Sequence, residues 1–185
     1  MATAASVNPN YVDGEWVGAS IPMTLGEYLR TMFHPDRDYV DGCAEERAVG
    51  EYEHGKVQLA LLRLLGDRES EWQIDVVPEC RLQVRHDRFR VVDVMVLRAE
   101  HKVDRYPTTA PLICIEVLSH EDRWVRLSEV LDDYVALGAQ NVWAFDPEKR
   151  EAFEYGADGF VKKLELAVQG TAIRVDVAKI FSVLK

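Results

Sequence analysis

Apolar residues recur along this chain with two different periods. Val57, Leu61, Leu64 and Leu65 fall at helical spacing, which predicts a helix over residues 50–65 that extends toward residue 70. Trp124, Leu127, Leu131 and Tyr134 repeat that period within residues 119–137, and Gly138 stands where such a helix would stop. Residues 89–97 and 112–118 are instead dense in β-branched and aliphatic side chains, as central strands covered on both faces are. Residues 72–77 and 81–84 read as two short strands interrupted by Pro78. Residues 141–145 form another strand, ended by Asp146-Pro147, and shorter strands follow around Phe153, Phe160 and Ile173 before a last turn near Ile180.

Upstream, Thr24 and Glu27 have capping-box spacing for a short helix over residues 25–33. Asp41-Gly42 marks a hairpin with a short strand on each side. Residues 1–21, rich in Ala, Ser, Asn and Gly, read as a flexible arm with Tyr11 or Trp16 as its anchor. The pattern predicts an α/β (α+β) domain over residues 22–185, with a central mixed sheet flanked by helices.

Composition narrows the class. A chain of 185 residues, 48% hydrophobic and 29% charged, can bury a sizeable core without disulfides. No apolar run approaches a bilayer span, so no membrane association is expected. The start of the chain has neither the basic nor the apolar region of a secretory signal. Cys43, Cys80 and Cys114 are odd in number and far apart, which disfavours disulfides and a zinc knuckle and suits a reducing cytoplasm. The net charge of −10 opposes broad adhesion to nucleic acid. Arg81, Arg85, Arg88, Arg90 and Arg98, with His86 among them, leave a local basic groove open; the solvated face of a hairpin is the preferred reading.

Two positions carry the chemistry. Asp93 interrupts VVDVMVL and Glu116 interrupts LICIEVL. A carboxylate inside an apolar strand is expensive to bury without a partner. Two on neighbouring strands repel unless a cation or a proton lies between them. A divalent metal meets that need, since magnesium is commonly held by one or two carboxylates plus water and phosphate. Either acid alone reads as a strand-end residue facing solvent or an arginine; the pair reads as a site. Glu51, His54 and Gln58 share one face of the helix expected over residues 50–65. That stripe is either a solvated face or a set of groups looking onto the acids, with Glu51 as a further metal or water ligand. There is no GxSxG, glycine-rich phosphate loop, HExxH or paired CxxC. The histidines His34, His54, His86, His101 and His120 are scattered, so a histidine-rich metal site is not supported.

The segments DYVDG, EYEHGKVQ, RFRVVDVMVL, PLICIEVLSHEDRW and DDYVALGAQNVWAFDPEKR occur in this order. Together they resemble the Uma-two family of restriction endonucleases, grouped with the PD-(D/E)XK nuclease fold, over residues 23–181. IEVLS and VWAFDP are the more specific signals. The resemblance implies a restriction-endonuclease-like domain that hydrolyses phosphodiester bonds of DNA with Mg2+ or Mn2+, working as a homodimer. It places the metal-binding acids at Asp93 and Glu116, with Val92 where proline is usual, the helix acid at Glu51 and a histidine at His54. It also places a catalytic lysine at position 118 or 130, where this chain has Leu118 and Val130. Arg126 lies one turn before Val130, on the same helix face. Its guanidinium can hold phosphate but is a poor base. A surface ion pair with Asp122 or Glu129 is the plainer reading of Arg126. Arg123 has the same ambiguity, and Lys56 is a weaker candidate.

Three functions follow. In the first, a metal-dependent endonuclease with a degenerate site, Asp93 and Glu116 bind metal, Glu51 and Arg126 complete the catalytic set, and His54 and Gln58 position substrate. The second is an inactive nuclease-fold module that binds nucleic acid or a protein partner. The third is an assembly module. Net charge and Val130 favour the second. Retention of Asp93, Glu116, Glu51 and His54 together favours the first, because apolar residues would be cheaper in those strands. Substrate, specificity and partner are not readable from these residues.

Overall fold

The apolar runs at residues 89–97 and 112–118 do lie side by side, at the centre of a nine-stranded sheet. The computed structural model describes residues 11–12, 15–16, 19–48, 50–102, 105–119 and 124–185. In chain order the elements are β1 (Tyr11–Val12), β2 (Glu15–Trp16), β3 (Ser20–Pro22), α1 (Leu25–Arg30), β4 (Asp38–Val40), β5 (Cys43–Glu45), α2 (Tyr52–Gly66), α3 (Glu69–Trp72) and β6 (Ile74–Arg85). They continue with β7 (Arg88–Arg98), β8 (Ile113–Val117), α4 (Trp124–Leu137), β9 (Val142–Asp146), β10 (Glu151–Gly156), β11 (Gly159–Lys163), β12 (Glu165–Ala167), β13 (Arg174–Asp176) and α5 (Val177–Phe181). The main sheet runs β11-β10-β9-β8-β7-β4-β5-β3, with β6 paired to β7. β8 and β9 are parallel, joined through α4, and the other pairings are antiparallel, so the sheet is mixed.

The central strands show why both faces had to be apolar. Val94, Val96, Ile113, Ile115, Trp143 and Phe145 point into one core, shared with Val57, Leu61 and Leu65 of α2 and with α5. Met95, Cys114, Val142 and Ala144 point into the opposite core, closed by Leu127, Leu131 and Tyr134 of α4. A third cluster gathers Tyr28, Phe33, Tyr39 and Phe89 around α1 and the β4–β5 hairpin. No described helix is long and apolar enough to cross a membrane.

Local signals explain most boundaries. Thr24 and Glu27 form the full capping box, but α1 stops at Arg30 rather than near residue 33, because Thr31 is already extended (φ −92°, ψ 133°). Asp41 and Gly42 take the positive φ values, 47° and 85°, of the β4–β5 hairpin turn. Gly138 ends α4 at φ 103°. The helix expected over residues 119–137 begins at Trp124 among the described residues, and residues 120–123 lie outside them.

Residues 72–84 do not form two strands around Pro78: β6 is a single strand of 12 residues, starting at Ile74. It pairs with β7 alone among the described strands, so it is an edge strand, where the missing N–H of proline is tolerated. Ile21, placed by sequence at the end of the arm, is fully buried in β3 beside β5. Backbone pairing of Tyr11 with Trp16 is described. Val12 pairs with Glu15 likewise, while the side chains of these four residues, and residues 1–10, 13–14 and 17–18, lie outside the described part.

The arginines of the β6–β7 hairpin are divided: Arg85 and Arg98, with His86, are solvated as expected, but Arg81, Arg88 and Arg90 are paired with acids. Arg81 is buried against Asp36, and Arg90 is buried between Asp38 and Asp133. Arg88 bridges Asp133 and Asp41. Hydrophobic periodicity cannot reveal these pairings, because their acids come from distant segments. Trp124 packs edge-on against Phe153 and Phe160, so it caps the core.

The seat of α2 is the direct test of this packing. Leu61→Ala should cost about 2–5 kcal/mol of stability in urea unfolding. A loss well below 1 kcal/mol would contradict a fully packed Leu61.

Candidate active site

Strand register brings the two interrupting acids together. Val94 of β7 pairs with Ile115 of β8, so Asp93 and Glu116 fall opposite one another at the next position. Both are buried, 2% and 8% exposed, and both line a cleft shared with Asp38, Arg47, His54, Ser119, Arg126 and Val130.

Asp93 is compensated from three directions. Arg47 Nη2 donates to Oδ1 at 2.5 Å, His54 Nε2 lies 3.2 Å from Oδ2, and the Val117 N–H donates to Oδ2 at 2.8 Å. Burial alone would raise its pKa, yet His54, Arg47 and the Val117 N–H together hold it below the usual aspartate value. Burial likewise works against His54, but Asp93 raises its pKa and favours the imidazolium. Glu116 is treated differently. Tyr134 donates its hydroxyl to Oε1 at 2.6 Å. Burial, and then the charge of Asp93, push the Glu116 carboxyl well above its ordinary range, against the pull of Arg47 and Tyr134.

The helix stripe does reach the acids. α2 carries His54 to the Asp93 carboxylate, and Gln58 Nε2 donates 3.0 Å to the Asp93 backbone carbonyl and 2.7 Å to Glu79. Val57, Leu61 and Leu65 follow His54 along the same buried face and anchor the helix that aims these groups. Glu51 stands apart. It is the exposed N-cap of α2 and lines an adjoining cleft with Glu53, His54, Asp146 and Lys149. Arg126 lines the cleft of the acids and donates to the Glu46 backbone carbonyl. Leu118 is buried and Val130 half-buried, both against the α4 core, so neither lysine position carries a cation. Lys56 is half-buried on α2, with no part in the cleft. His120, Asp122 and Arg123 lie outside the described residues.

Two partners escape sequence reasoning. Arg47 precedes α2 in an unpatterned segment, and Tyr134 reads there only as a core position. The buried acids demanded a cation, but only the tertiary fold selects which one. The donor set fits a hard divalent ion: two adjacent carboxylates, with water and phosphate to complete the shell. Among the described residues, no three His, Cys, Asp or Glu side chains form such a group.

The chain superposes on the crystal structure of a protein from Anabaena variabilis ATCC 29413 described as a putative nuclease belonging to DUF820. The TM-score is 0.73 at 18% sequence identity, over 89% of this chain and 100% of that one, and the fold is therefore the nuclease-type fold. The Uma2 family, described as "putative restriction endonuclease", matches residues 27–178, and the chain belongs to it. No curated protein matches the chain.

The raised pKa of Glu116 has a testable sign. Its unfolded carboxyl ionises near 4.5 while the folded one holds its proton to higher pH. The associated stability is therefore complete below pH 4.5 and is lost as pH rises toward the folded value. Gln cannot ionise and keeps an acceptor for Tyr134. In chelator-containing buffer, Glu116→Gln should melt a few degrees above wild type at pH 7 and lose that advantage near pH 4. An equal or lower Tm at pH 7 would refute the assignment.

Proposed function

We propose that this chain is a metal-dependent DNA endonuclease with Asp93 and Glu116 at its centre. The observation that carries this is the register of β7 and β8, which sets two buried carboxylates side by side at one cleft. Family membership and the nuclease-type fold support it. Mg2+ or Mn2+ held by Asp93 and Glu116 would supply an acidified water and neutralise charge on the scissile phosphate.

The protein groups then have separate tasks. His54 and the Val117 N–H fix the Asp93 carboxylate, and Tyr134 fixes Glu116. Gln58 ties α2 to β7 beside the site. Arg126, on the cleft wall, holds a non-bridging phosphate oxygen. Glu51, in the adjoining cleft, holds water. A homodimer is the working form in this reading, as the family resemblance implies. The free cysteines Cys43, Cys80 and Cys114 suit its cytoplasmic location.

A second reading rests on Leu118 and Val130. With apolar groups at both lysine positions, the chain would be a non-catalytic nuclease fold that binds nucleic acid or a protein partner.

Supercoiled plasmid with Mg2+ or Mn2+ separates the two. The endonuclease reading expects nicked and linear products, reduced at least about 100-fold in Asp93→Asn and in Glu116→Gln. Val130→Lys should raise the rate. Intact plasmid with every metal, together with retained DNA retardation in gels, would establish the second reading instead.

A further inference from the structure

Arg47 is the group that the acidic pair did not announce. It lies between β5 and α2, and its side chain, 17% exposed, lines the cleft of the acids. One nitrogen, Nη2, meets Asp93 Oδ1 at 2.5 Å, and the other, Nη1, meets Glu79 Oε2 at 2.7 Å. The charge of Glu116 also acts on it. The guanidinium thus stands where the negative charge of the two strands converges. A permanent cation there satisfies the electrostatic demand that a divalent ion would otherwise satisfy.

The two cations cannot share Asp93 without cost. Asp93 Oδ2 is already engaged by His54 and Val117, which leaves Oδ1, the oxygen that Arg47 holds, for a metal. Placed on that oxygen, a metal would sit against the guanidinium, where like charges repel. Arg47 has somewhere else to go. Glu79 is 47% exposed on the edge strand β6 and already binds Nη1, so the side chain can leave Asp93 and remain paired.

We propose that Arg47 is a built-in cation that a divalent metal must displace from Asp93, so that Arg47 sets the metal affinity of the site. This rests on the metal-dependent reading above, and the experiment separates the two.

Mn2+ binding is measured by calorimetry on wild type, Arg47→Gln and Arg126→Gln, at one ionic strength. Arg126 lines the same cleft and removes the same charge, so it controls for general electrostatics. Displacement predicts about tenfold tighter Mn2+ binding in Arg47→Gln and a much smaller change in Arg126→Gln. Equal tightening in both variants, or unchanged or weaker binding in Arg47→Gln, would overturn the proposal and leave the metal reading intact. No Mn2+ binding in wild type or in Arg47→Gln would overturn both. Should Arg47→Gln fail to fold, wild-type protein supplies the test. The Arg47 side-chain Nε–H resonance should shift as Mg2+ is added, and a resonance that stays fixed while the site saturates would overturn displacement.

Discussion

A carboxylate in the middle of a central strand constrains everything around it. Asp93 sits in the interior of an apolar strand, and an unpaired charge there would cost several kcal/mol. The fold meets that cost with a guanidinium, an imidazole and a backbone N–H. Each comes from a different place: the segment before α2, α2 itself and the end of β8. The acid therefore links three parts of the chain by polar contacts, in addition to the core that packs α2 on the sheet.

Glu116, its neighbour across the β7–β8 pairing, receives a neutral donor, Tyr134, and carries a raised pKa. The two carboxyls are thus pushed apart in acidity by surroundings that differ mainly in the charge of the groups they offer. This asymmetry is costly to maintain in an apolar sheet, and a simple structural role would be met more cheaply by valine or leucine. The helices serve it directly. The apolar face of α2 seats the helix that presents His54 and Gln58, and α4 presents Tyr134 and Arg126 from the other side.

Hydrophobic period exposed the frame of this structure. The central strands, the two long helices, the hairpin turn at Asp41-Gly42 and the stop at Gly138 all follow from local pattern and backbone sterics. What the pattern misjudged was set by neighbours. Pro78 reads as a break, but β6 lies at an edge where its missing donor has no consequence. The arginines of the β6–β7 hairpin read as a solvated face, but Asp36, Asp38 and Asp133 draw two of them into the interior. The same division holds at the site. Asp93 and Glu116 stood out because acids are rare inside apolar strands. Arg47 and Tyr134 did not, because their sequence neighbours give no sign of a buried partner 18 to 46 residues away.

The central claim is that the Asp93–Glu116 pair is a cation site held in the free protein by Arg47. A crystal structure of the protein soaked in Mn2+, read by anomalous scattering, tests it most directly. The account predicts an anomalous peak bound by both carboxylates, with the Arg47 guanidinium moved off Asp93 toward Glu79. Well-ordered side chains with Arg47 still on Asp93, and no peak at the pair, would contradict it.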